Sequence, residues 1–312
     1  MTLSEPPAPP PIDPEGGAAA PAEARRVAEP RRPGRREAAD LHPVSPRLWG
    51  FMLGYFERFV GRHLNALRLA RWGEPRGLDH PGPIVVYCNH PAWWDAAVLI
   101  VLAGRLFPGR EGRAPFDAAV LGKYRIFERM GAFGVDLDSP RGAAAFLAHA
   151  RAILAAPHRM LWITAQGRFS DVRARPLALR PGVARLPEIA PDALVLPLAV
   201  EYAFWEERGA EAFAAFGAPI LARDLLALPR PERLARLERE LTATLDRLSA
   251  DVVAREPERF RALVAGRKGI GGVYDLWRRL GALVAGRRFD PAHRTEPGTE
   301  PGTEPSSRKP AP

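Results

Sequence analysis

The chain has 312 residues, 46% of them hydrophobic and 26% charged, with 34 prolines, 28 glycines and a single cysteine. It is too apolar to be disordered throughout, and the lone Cys88 excludes an intramolecular disulfide or a cysteine zinc cluster and fits a reducing compartment. The formal net charge of +9 sets 45 basic against 36 acidic residues, and all but three of the basic ones are arginine; beside heavy alanine and proline use, compositional bias explains this as readily as a basic surface, so charge alone carries no nucleic-acid reading.

Residues 1–45 are rich in Pro, Ala, Glu and Arg and lack the apolar stretch of a signal peptide, which predicts a disordered tail. A first amphipathic helix is predicted where Trp49, Leu53, Phe56, Val60, Leu64 and Leu67 recur at helical spacing, with Arg58, Arg62, Asn65 and Arg68 opposite them. A second has Val273, Leu276, Trp277, Leu280, Leu283 and Val284 on one stripe, flanked by Arg278, Arg279, Arg287 and Arg288. Basic helices with tryptophan on the apolar side suit the interface of an anionic bilayer, although such stripes also pack on ordinary domain cores. Residues 46–289 then form one domain and 290–312, with its TEPG near-repeat, a second tail. No run reaches the roughly 18 consecutive apolar residues of a membrane span.

Between the two helices, short β-branched or apolar runs alternate with helical stretches. Strands are predicted at Ile84–Cys88, Ala118–Leu121, Phe133–Leu137, Met160–Thr164 and Leu194–Val200, and helices at Trp93–Phe107 and Gly142–Ala155. Pro231–Val253 is strongly charged and reads as a surface helix. The alternation predicts an α/β domain with a mixed sheet flanked by helices, whose chemistry sits in the loops after the strands.

The first such loop reads Asn89-His90-Pro91-Ala92-Trp93-Trp94-Asp95. A histidine at a strand exit can take a proton near neutral pH, and a carboxylate one turn into the next helix can fix its tautomer. The pair by itself is weak, because His and Asp five apart arise easily by chance. Three further blocks follow in order: Leu121-Gly122-Lys123-Tyr124 leading to Gly131–Asp136; Thr164-Ala165-Gln166-Gly167-Arg168-Phe169-Ser170 with Arg180–Leu186; and Val195–Ala199. Together they resemble the glycerolipid acyltransferase family, the PlsC-like lysophosphatidic acid acyltransferase group, whose blocks are NHxxxxD, a lysine at a strand end, FPEGTRS with a basic-Gly stretch, and a strand ending in proline and small residues.

The resemblance implies a glycerol-3-phosphate acyltransferase-like fold and a reaction in which His90, oriented by Asp95, deprotonates an acceptor hydroxyl that attacks the thioester of acyl-CoA or acyl-carrier protein. It implies contacts to substrate from Asn89, Trp93, Trp94, Lys123, Gln166, Gly167, Arg168, Ser170 and Arg185, with a backbone N–H near Gly167 as oxyanion donor. No metal or other cofactor is implied, and Cys88, inside an apolar strand, is not expected to act as a nucleophile. The partners implied are an acyl thioester donor, a membrane lipid acceptor and an anionic membrane, with no nucleic acid, at the cytoplasmic face of a bacterial inner membrane. The third block departs from the family: Gln166 stands for the usual Glu, the arginine is shifted to Arg168, and Arg141 is the nearest substitute for an arginine missing from the second. Three readings stay open: a lysophospholipid held through Arg168, an acceptor without that phosphate such as a glycolipid or aminolipid, and a non-catalytic lipid-binding relative.

Overall fold

The computed structural model describes residues 41–136 and 139–266; the segment 273–284, expected as a second helix, the segment 290–312 and residues 1–40 lie outside the described residues. The chain opens with α1 (Pro46–His63) and β1 (Ala66–Ala70), then β2 (Ile84–Cys88) and α2 (Asp95–Leu106). There follow β3 (Glu111–Asp117), α3 (Ala118–Lys123), β4 (Ala132–Val135), α4 (Pro140–Leu154) and β5 (Arg159–Thr164). The second half holds the short α5 (Leu186–Ile189), β6 (Leu194–Ala203), β7 (Glu211–Phe216), β8 (Ile220–Leu221), the short α6 (Ala222–Leu225), α7 (Arg230–Ala254) and β9 (Phe260–Ala265).

The nine described strands form one mixed sheet in the order β4-β3-β5-β2-β6-β7-β1-β9, with β8 on β6. From β4 to β6 the pairing is parallel, and it turns antiparallel at β7. β2 is central: every residue is buried, Val85 and Tyr87 facing one side and Ile84, Val86 and Cys88 the other. The first side is covered by α4 and α7, the second by α1 and α2. β2 pairs β5 on one edge and β6 on the other, so the loop after β2 lies between the ends of two strands that come later in the sequence. That is where an open α/β sheet leaves a crevice.

Local sequence explains several boundaries. Ser45 caps α1 by accepting from the Leu48 N–H, and Ser139 caps α4 by accepting from Gly142; in both helices proline follows the cap, where its missing N–H costs nothing. Asp117 accepts from Ala119 and Val120 and starts α3. The segment 118–121, expected as a strand, is therefore helical, and the strand is the preceding Glu111–Asp117.

The predicted first helix also ends early. Its last apolar positions, Leu64 and Leu67, are its cap and a buried residue of β1. The rest of the stripe turns inward, with Trp49, Phe56 and Val60 packed on the core against α2. The start of the domain reaches slightly back into the expected tail: Leu41 packs on the core and the His42 carbonyl accepts from Arg113 at 2.7 Å.

α7 is more than a surface helix. Leu237, Leu241, Leu245 and Leu248 are completely or almost completely buried, at about 2 kcal/mol each, and even Arg233 and Asp251 of this helix are buried, while most of its other charges are exposed or partly exposed. Among the described residues no helix is long and apolar enough to cross a membrane.

Candidate active site

His90 leaves the end of β2, and three strands fix its backbone. Its N–H donates to Gln166 Oε1 at 2.8 Å, and its carbonyl accepts from the Ser170 N–H at 2.9 Å, tying it to the loop after β5. Asn89 beside it is buried and makes a reciprocal pair with Val200 of β6, donating to its carbonyl and accepting from its N–H, both at 2.8 Å. The histidine is thus held on both sides before its ring makes any contact.

The ring is oriented by Asp95, the first residue of α2. His90 Nδ1 lies 2.6 Å from Asp95 Oδ2, and Asp95 is 1% exposed. The carboxylate takes two more donors, the Ala92 N–H at 3.3 Å on the same oxygen and the Tyr202 hydroxyl at 2.7 Å on the other. A carboxylate offers acceptors only, and the start of a helix favours its negative charge. Nδ1 is therefore the protonated nitrogen and Nε2 the acceptor, the tautomer of a general base. Burial, followed by the charge of Asp95, pushes the Tyr202 phenol well above its usual range, so it stays a donor.

Tyr202 was not foreseen from the sequence. It belongs to no local motif and reaches Asp95 only because β6 runs on past the end of β2. A polar Glu-Tyr step at the end of an otherwise apolar strand was the available signal.

The loop after β5 covers the site. Gly167 has φ +63, the left-handed region that glycine adopts freely, and a side chain there would collide with Arg180. Its N–H is bonded to the Thr164 carbonyl at 3.0 Å, so this amide is not free for an oxyanion. Gln166 is buried, with its amide bonded to His90 and, at 2.8 Å, to the Leu177 carbonyl, which braces the loop. Phe169 lays its ring over His90, with centroids 4.4 Å apart, and is 59% exposed.

The other expected residues separate. Arg168, between the Gly167 turn and Phe169, is exposed, with no partner among the described residues. Trp94 turns inward onto Phe59 of α1, whereas Trp93 is 70% exposed. Lys123, Arg141 and Arg185 are exposed at the end of α3, the start of α4 and the end of a 3-10 turn, and no contact among the described residues ties them to the His90 loop. Gly167 meets the basic-Gly stretch at Arg180, not at Arg185.

Cys88 is buried, donating to the Ile163 carbonyl at 3.4 Å. Burial and then the nearby Asp95 push its thiol well above the usual range, which keeps it protonated. Among the described residues no three His, Cys, Asp or Glu side chains gather as a metal-binding group. What the site can do is accept a proton on one imidazole nitrogen beside an exposed aromatic and an exposed arginine. No protein-family model matches the chain, and no curated protein matches it.

Proposed function

We propose that this chain is an acyltransferase of the PlsC-like kind, with the glycerol-3-phosphate acyltransferase-like fold, working at the cytoplasmic face of a membrane on a lipid hydroxyl. One observation carries the reading: His90 bonded through Nδ1 to the buried Asp95, at the end of the central parallel strand. The carboxylate holds the ring so that Nε2 faces outward as base. Nε2 takes the proton of the acceptor hydroxyl as its oxygen attacks the thioester carbonyl of acyl-CoA or acyl-carrier protein. The tetrahedral intermediate expels the thiolate, which recovers the proton from His90, leaving an ester and a free thiol. No acyl-enzyme forms, which agrees with the protonated, buried Cys88.

Arg168 is the charge best placed to meet an anionic group on acceptor or donor, since it precedes the ring that covers His90. Phe169 favours a second reading of the acceptor. It stands where the resembled motif carries arginine, and it offers an apolar face over the base, which suits a glycolipid or aminolipid better than a bare phosphomonoester. Incubation with labelled acyl-CoA or acyl-carrier protein and a panel of lysophospholipids, glycolipids and aminolipids, with products identified by mass, tests both readings. Dominant acylation of lysophosphatidic acid removes the second, and no product from any pair removes the enzyme reading.

A further inference from the structure

The apolar stripe of α1 packs on the domain, yet the opposite side of the helix is not an ordinary solvated face. Its exposed residues are Pro46, Arg47, Gly50, Phe51, Tyr55, Arg58, Arg62 and His63, among which none is acidic. The single acid of the helix, Glu57, is half-buried and bonded to Arg105 of α2. By contrast the exposed side of α7 mixes signs, with Arg230, Arg239 and Arg247 beside Glu232 and Asp246. Phe51 is 71% exposed and Tyr55 48%, one helical turn apart.

These rings continue to the candidate active site. Tyr55 stacks on Phe59 with centroids 6.0 Å apart, Phe59 meets Trp94 at 5.3 Å, and Trp94 meets the exposed Trp93 at 5.6 Å. Trp93 lies three residues after His90. One surface therefore joins exposed Phe, Tyr and Trp to three arginines with no ion pair among the described residues.

We propose that this outward face of α1, together with Trp93, is the docking surface for an anionic lipid bilayer, with the helix lying in the headgroup layer. The inference rests on the membrane reading above and adds the surface that makes the contact. Aromatic rings partition to the headgroup level, and arginines beside them gain from anionic lipid, so rings and single-sign charge on one helix match that partner. A docked α1 sets Trp93 at headgroup depth and His90 next to it, where a lipid hydroxyl reaches the base without leaving the bilayer.

The test uses the full chain and vesicles of phosphatidylcholine with or without phosphatidylglycerol. Buried Cys88 leaves a new surface cysteine as the reactive thiol, so an environment-sensitive dye on Phe51→Cys reports this face, and one on Val253→Cys reports the exposed side of α7 across the sheet. The expected result is a brighter, blue-shifted dye at position 51 and none at 253, on phosphatidylglycerol vesicles only. Phe51→Ser/Tyr55→Ser should partition about tenfold more weakly, and each of Arg47→Gln, Arg58→Gln and Arg62→Gln about fivefold. All are exposed positions, and thermal melts confirm folding. A silent dye at 51 on vesicles that bind the chain, or a double variant that binds like wild type, overturns the surface and leaves the membrane reading standing. No vesicle binding by the wild-type chain overturns both.

Discussion

Tyr202 and Asp95 stand 107 residues apart in sequence, yet the phenol donates to Asp95 Oδ1 at 2.7 Å while His90 holds the other carboxylate oxygen. The tyrosine competes with the imidazole for the carboxylate's charge and fixes the plane of the group that orients the base.

Tyr202→Phe removes one hydroxyl and keeps the ring. A hydrogen bond to a charged group contributes about 1.5 kcal/mol, so transfer should slow about tenfold. Rates of the two proteins at one pH, with thermal melts to confirm folding, check this. An unchanged rate would make Tyr202 a packing residue only.

Gln166 offers a stability prediction. Its Oε1 accepts from His90 and its Nε2 donates to Leu177, so Gln166→Glu sets a carboxylate oxygen against a carbonyl oxygen in a buried place. The change should cost about 1–3 kcal/mol at neutral pH, read from the urea midpoint. The loss should shrink in acid, as protonation restores a donor. An unchanged midpoint at pH 7 contradicts the bracing role.

His149 gives a pH dependence of folding. It is buried on α4, stacked on Phe133 with centroids 4.8 Å apart, with Nδ1 bonded to the Ala145 carbonyl. Burial lowers its pKa below the ordinary 6.5 of a free histidine side chain. The unfolded chain then binds the proton more readily, so this stabilisation is full above pH 6.5 and is lost as pH falls from there through the lower folded value. His149→Phe should flatten the part of the melting-temperature decline that begins near that pH. Parallel curves for the two proteins would assign the decline elsewhere.

The α/β alternation and the mixed sheet were legible because β2, β5 and β6 are apolar runs between turn signals. β1 was not, since Leu64 and Leu67 continue the helical spacing of α1 and nothing local marks the break. β7, Glu211–Phe216, is alanine-rich, and its strand form comes from burial between β6 and β1 rather than from propensity. At the site, the His90 and Asp95 contact followed from their spacing. The roles of Asn89 and Gln166 did not, because a buried amide that braces a loop and one that meets a substrate look alike in sequence. The engagement of the Gly167 N–H by Thr164 and the reach of Tyr202 are products of the tertiary fold.

The central claim is that His90 is the base of an acyl transfer. Its most direct measurement compares wild type and His90→Ala, both verified as folded by thermal melt, for thiol release from acyl-CoA or acyl-carrier protein in the presence of the best lipid acceptor. Removal of a general base should slow release and ester formation together by at least about a hundredfold. Equal rates in the two proteins, or a wild-type chain that consumes no thioester with any acceptor, would contradict the account.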